Sequence, residues 1–118
     1  MVVGLSSKVR VVEGKFDERL DAVKQFLEEM EANFFDFVLL DHWKDCYMPD
    51  YLLLKENGMI KKGSGIFSDN MGPLLGPADF KKYIKTHPEE LETQEFKSTV
   101  EYTWWMPDSV WVSTYKLD

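Results

Sequence analysis

The sequence has a single cysteine, Cys46, so no disulfide can close within it. A reducing compartment is the simpler setting, and the cytoplasm is the default expectation. No apolar run approaches the roughly 20 residues that a membrane-spanning helix needs. The opening, MVVGLSSKVRVV, is too short and too interrupted to read as a secretory signal. Positive charge is scarce: 14 Lys and Arg stand against 21 Asp and Glu, a net charge of −7. Such a field repels phosphates and argues against nucleic acid as a partner, while it suits a cation. There is no internal repeat and no low-complexity tract. The remaining composition, 44% hydrophobic and 30% charged over 118 residues, suits one small globular domain.

Local patterns give the order of elements. Val9 to Glu13 is a short β-branched run closed by Gly14 and is expected to be a strand. Asp17 is placed to cap a helix. Leu20, Val23, Leu27 and Met30 recur at helical spacing, with Phe26 beside them and Asn33 as the stop. Phe37 to Leu40 is continuously apolar, which predicts a strand covered on both faces and bounded by Asp36 and Asp41. Pro49 suits the first turn of a second helix, which Asn57-Gly58 ends. The segment SGIFSDN predicts another short strand, ending at Asp69 and Asn70. After the loop MGPLLGP, Pro77 starts a third helix through about Lys85, with Phe80, Tyr83 and Ile84 as its apolar face and His87-Pro88 as its end. FKSTVEYTWW and VWVSTYKL read as two strands joined by a turn at MPDS. The sum is α/β: a mostly parallel sheet with a C-terminal antiparallel hairpin, in one domain over residues 1–118.

Chemistry concentrates at two strand ends. Ligands of open α/β sheets bind beyond the C-terminal ends of the strands. Asp41 follows FVLL there, and Asp69 and Asn70 follow GIFS. If the strands are neighbours, two carboxylates and an amide carbonyl converge into an all-oxygen donor set. Mg²⁺ favours such a set, with further positions left for water or substrate. A strand-end aspartate equally often caps the next turn. Lys44, three residues past Asp41, is a candidate general base, although most lysines are simply solvated.

The segments LDHWKDCYMPDYLLL, GSGIFSDN and VEYTWW closely resemble the catechol O-methyltransferases, from about Lys8 to Leu117. The resemblance implies a partial Rossmann-like, S-adenosylmethionine-dependent methyltransferase fold. It implies that Asp41, Asp69 and Asn70 bind Mg²⁺. It implies that Lys44 takes a proton from a catechol hydroxyl and that Glu101 holds the neighbouring one. His42 and Trp43 are then cofactor contacts near the adenine, with Trp43 also walling the substrate pocket, and Gly14 belongs to the cofactor side. Asp41, Trp43, Lys44, Asn70 and Glu101 together would meet the substrate. From the residues alone, Glu101 would be an exposed position on an alternating strand, and His42 and Trp43 would be packing.

The sequence also departs from that pattern. The family's first strand leads into a glycine-rich turn, and an acid ends its second; neither is found here, and Gly4 cannot replace the turn. Lys15, Phe16 and Asp17 stand where the family carries small and polar residues against the adenine. Pro73 is a candidate for the proline that guards the substrate. The chain is therefore expected to match the C-terminal part of such a domain, to be inactive alone, and to pair with a missing N-terminal half. The alternative is a non-catalytic half-domain that binds a partner chain through a bare sheet edge at Phe37 to Leu40.

Overall fold

The computed structural model describes residues 8–100 and 103–118, with the backbone alone at Thr103 and Trp104. The chain divides into two compact units, Met1–Phe34 and Phe35–Asp118.

In the first unit, α1 spans Leu20–Glu29 and buries Leu27. Its end is a Schellman motif: Ala32 N–H bonds Leu27 O and Glu31 N–H bonds Glu28 O, with Glu31 at φ 56 where glycine is usual. Two expectations fail here. Residues 9–13 form no strand, and Val9 and Val11 are exposed. A β-branched run lacks ladder partners unless another strand lies beside it. Asp17 does not cap α1, which begins after Arg19 without a side-chain cap; its carboxylate accepts instead from Glu18 N–H at 3.0 Å.

The second unit is built on a four-stranded sheet in the order β1-β2-β4-β3. Here β1 is Phe37–Leu40, β2 Gly65–Ser68, β3 Leu91–Val100 and β4 Thr103–Tyr115. β1 and β2 run parallel, with Leu40 opposite Ser68. The β2–β4 and β3–β4 pairs are antiparallel. The α/β class stands, but one pairing of three is parallel rather than most of them. β1 is an edge strand, and its covering is one-sided: Leu40 is buried, while Phe37 and Leu39 are 58% and 56% exposed. The expected two-sided burial is thus not met.

The hairpin forms with its reversal displaced. MPDS is not the turn; it lies within β4, with Pro107 opposite Thr99 and Asp108 opposite Ser98. β2 pairs with β4 only as far as Trp111, so Pro107 sits where β4 has outrun its other neighbour. A missing N–H is tolerated there. A register irregularity between Thr99 and Val100 adjoins it.

A short 3₁₀ turn, Lys44–Cys46, leads into α2, Tyr47–Glu56, with Pro49 in its first turn. Tyr47, Tyr51 and Leu54 fall on one helical stripe and are buried. α2 ends as the Asn-Gly pair predicts. Gly58 N–H bonds Lys55 O, Met59 N–H bonds Leu54 O, and Gly58 takes φ 65. α3 is Ala78–Thr86, and it buries Phe80 and Ile84. Phe80 meets both Tyr47 and Tyr51, with ring centroids 6.3 and 5.5 Å apart. Ser109, Trp111, Ser113 and Tyr115 alternate into the buried face of β4.

Glu90, just before β3, ties these elements together. Its carboxylate accepts from Tyr51 and Tyr83 hydroxyls, each at 2.6 Å, and from Lys55 Nζ at 2.7 Å. Burial pushes its pKa up, but the bonds from Lys55, Tyr51 and Tyr83 outweigh burial and hold it below the usual carboxylate value. Lys55 is pushed up to about 12, chiefly by the bond to Glu90. Stability from Glu90 is therefore present above the ordinary carboxylate pKa and lost as pH falls through its depressed value. Stability from Lys55 is present below the ordinary lysine pKa and lost as pH rises through about 12.

Two stability measurements follow. Urea unfolding as a function of pH should show an acid limb that Glu90→Gln flattens, at a cost of about 2 kcal/mol near neutrality. Gly58→Ala should lower stability by about 1 kcal/mol, because alanine resists positive φ.

Candidate active site

The parallel register does the first part of the assembly. Leu40 and Ser68 are paired, and Asp69 N–H extends the ladder to Leu40 O at 3.0 Å. Asp41 and Asp69 therefore leave adjacent strands at the same level, where neighbouring chains are about 4.8 Å apart. Asn70 follows in the left-handed conformation, φ 54, which asparagine tolerates better than most residues. Asp69 carboxylate accepts from Asn70 N–H at 2.8 Å and steadies that turn.

Lys44 joins the two strand tips. Its Nζ donates to Asn70 Oδ1 at 3.1 Å, across 26 positions of sequence. It also donates to Tyr47 hydroxyl at 2.9 Å and to His42 O at 3.3 Å. Three acceptors match the three N–H bonds of an ammonium. Tyr47 is fully buried and passes the chain on, donating from its hydroxyl to Asp69 O at 3.0 Å. Its pKa is raised, first by burial and then by the negative fields of Asp41, Asp69 and Asp108.

The other side of Asn70 is equally fixed. Its Nδ2 donates to Asp108 Oδ2 at 2.8 Å, and Asp108 Oδ1 accepts from Gly72 N–H at 3.0 Å. Met71 N–H adds a bond to Ser109 O at 2.8 Å. A side chain at Gly72 could not be accommodated: its Cβ would lie 2.5 Å from Asp108 Cα.

His42 and Trp43 are placed differently. His42 Nε2 is 2.6 Å from the carboxylate of buried Asp50, and its ring stacks on Tyr47 at 5.1 Å. Trp43 is 72% exposed and donates from its indole to Asp45 at 3.1 Å. Lys44, Asp69 and Asn70 are brought together through bonds of side chain and backbone, while Asp41 is exposed at the end of the neighbouring strand. Gly14 lies in the first unit, at a bend with φ 119. Glu101 lies outside the described residues, and Pro73 follows Gly72 in the loop after the β2 tip.

Among the described residues, no three His, Cys, Asp or Glu side chains are grouped to hold a metal ion. The set at the strand tips is instead two carboxylates and one amide, all oxygen. Asp41 is exposed and Asp69 half-buried. The amide oxygen that meets Lys44 has a second lone pair. These donors fit a hard divalent cation. Sequence reasoning missed Tyr47, Asp50 and Asp108. The spacing of Lys44 and Tyr47, one helical turn apart, was a usable signal. Asp108 gave none, because MPDS reads as a turn.

No protein-family model matches the chain. Solved structures resemble it. An O-methyltransferase from Bacillus cereus, in complex with SAH, aligns at 20% identity with a TM-score of 0.57, over 82% of this chain and 47% of that one. A Klebsiella pneumoniae protein assigned as an O-methyltransferase aligns at 19% identity with a TM-score of 0.67, over 96% and 52%. The fold is that of part of these two structures. In sequence the chain is a homologue of the catechol O-methyltransferases over the region they share. It is 37% identical to that of Bos taurus across 100 residues, 85% of this chain and 35% of the relative. It is 35% identical to that of Sus scrofa across 113 residues, 96% and 58%. The chain thus spans between a third and just over half of the length of these relatives.

One substitution reads the network directly. Tyr47→Phe leaves Lys44 an acceptor short and Asp69 O without its donor. It should cost about 1–2 kcal/mol in urea unfolding.

Proposed function

We propose that this chain carries the metal-holding and deprotonating part of a Mg²⁺-dependent catechol O-methyltransferase, with S-adenosylmethionine as methyl donor. The observation that carries the reading is the 3.1 Å bond from Lys44 to Asn70, which joins LDHWKD to SDN. Homology to the catechol O-methyltransferases supports the substrate class. A structural neighbour in complex with SAH supports the donor.

Asp41, Asp69 and Asn70 would hold the ion, which when bound supplies the positive charge that acidifies a catechol hydroxyl. Lys44, in its neutral amine form, takes the released proton at Nζ. His42 O, Tyr47 and Asn70 then offer one acceptor for each N–H of the resulting ammonium. Glu101 holds the second hydroxyl. His42 and Trp43 contact the donor, and Trp43, exposed two residues beyond Asp41, also walls the substrate. Beyond charge, the protein's contribution is position: oxygen and methyl held near contact distance.

The isolated chain is inactive in this reading and requires an N-terminal half. A second reading, a non-catalytic half-domain that pairs through its sheet edge, draws on the exposed Phe37 and Leu39 of β1.

Mn²⁺ titration followed by electron paramagnetic resonance separates the two. One ion per chain, weakened at least tenfold by Asp41→Ala or Asp69→Ala, supports the enzyme reading. No site-specific ion supports the half-domain. Labelled methyl transfer to catechol by the purified chain should be absent. Turnover that Asp41→Ala abolishes would overturn the claim of inactivity.

A further inference from the structure

The geometry assigns Asp108 a positioning role: it sets which end of the Asn70 amide faces the strand tips. The inference rests on the cation reading above, but it concerns a residue which that reading does not use.

An amide has two chemically opposite ends. Asn70 lies between a group that only accepts, the Asp108 carboxylate, and one that only donates, the Lys44 ammonium. Nδ2 must face the first and Oδ1 the second. Rotating the amide by half a turn would set NH₂ against ammonium and oxygen against carboxylate, losing both bonds. The orientation that survives presents oxygen, the atom a hard cation needs, at the tips.

Asp108 is itself well placed for this. It is 5% exposed, held in β4 opposite Ser98, and its other oxygen is engaged by Gly72 N–H. Gly72 comes so close that only glycine fits, and its N–H bond to Asp108 holds the loop there. One carboxylate therefore anchors the loop with one oxygen and orients Asn70 with the other.

The two duties can be separated. Asp108→Asn keeps an oxygen for Gly72 N–H and replaces the oxygen facing Asn70 with NH₂. The loop stays anchored while the amide loses its reason to point one way. Asn70→Asp in that background restores the logic. The carboxylate it introduces accepts from the new NH₂ on one side and offers oxygen on the other.

Mn²⁺ affinity by electron paramagnetic resonance, and the Asn70 side-chain amide signals in the metal-free protein, test this together. Asp108→Asn should weaken Mn²⁺ on the order of tenfold, as loss of a partner behind a metal ligand does. Asn70→Asp/Asp108→Asn should recover most of the loss. In the unsubstituted protein, one Asn70 Nδ2 proton should be shifted downfield and slow to exchange, and Asp108→Asn should abolish both properties. A swapped pair no better than the single variant, or an Asn70 amide indifferent to Asp108→Asn, overturns the assignment. If the unsubstituted chain binds no Mn²⁺, the cation reading falls, and the amide signals alone decide the role of Asp108.

Discussion

The site depends on one pairing, the parallel ladder between β1 and β2 in the register that sets Leu40 beside Ser68. Side chains alternate along a strand, so a slip of one residue would turn each tip to the other face. In the observed register, the residues after both strands emerge together, and everything beyond is local. A 3₁₀ turn carries Lys44 back over the tips, Tyr47 begins α2 beneath it, and Asn70 turns left-handed to meet it. The pairing also rests on little. β1 is four residues long and has β2 as its one strand neighbour among the described residues.

Two reinforcements compensate. The Asp69 N–H bond to Leu40 O carries the ladder one step past β2. The Lys44–Tyr47–Asp69 chain then crosses the same gap from above. On the far side, the loop after Asn70 is fastened to β4 by Met71, Gly72 and Asn70 itself. Asp69 and Asp108 are held at Asn70 by its N–H and its Nδ2, and Asp41 stands exposed on the neighbouring tip.

Much of this was legible in the sequence. The tips were marked by acids closing apolar runs, α2 by Pro49 and Asn57-Gly58, and α3 by Pro77 and His87-Pro88. The residues alone offered an all-oxygen set beside a lysine, and the resemblance to the catechol O-methyltransferases gave those residues their roles. What failed depended on partners that no local pattern reports. Val9 to Glu13 has the composition of a strand but, among the described residues, no neighbour to pair with. Phe37 and Leu39 have the composition of a covered strand but one open side. MPDS has the residues of a turn, yet Pro107 is accommodated because β2 is short. Asp108 was hidden for the same reason: its importance is set by Asn70, 38 residues away.

The central claim is that both strand tips and Lys44 address one cation. Paramagnetic broadening of backbone amide resonances by substoichiometric Mn²⁺ tests it most directly. The account predicts selective loss of signals around residues 41–47 and 69–72 together. Broadening at one tip without the other, or spread over the acidic surface at large, would contradict it.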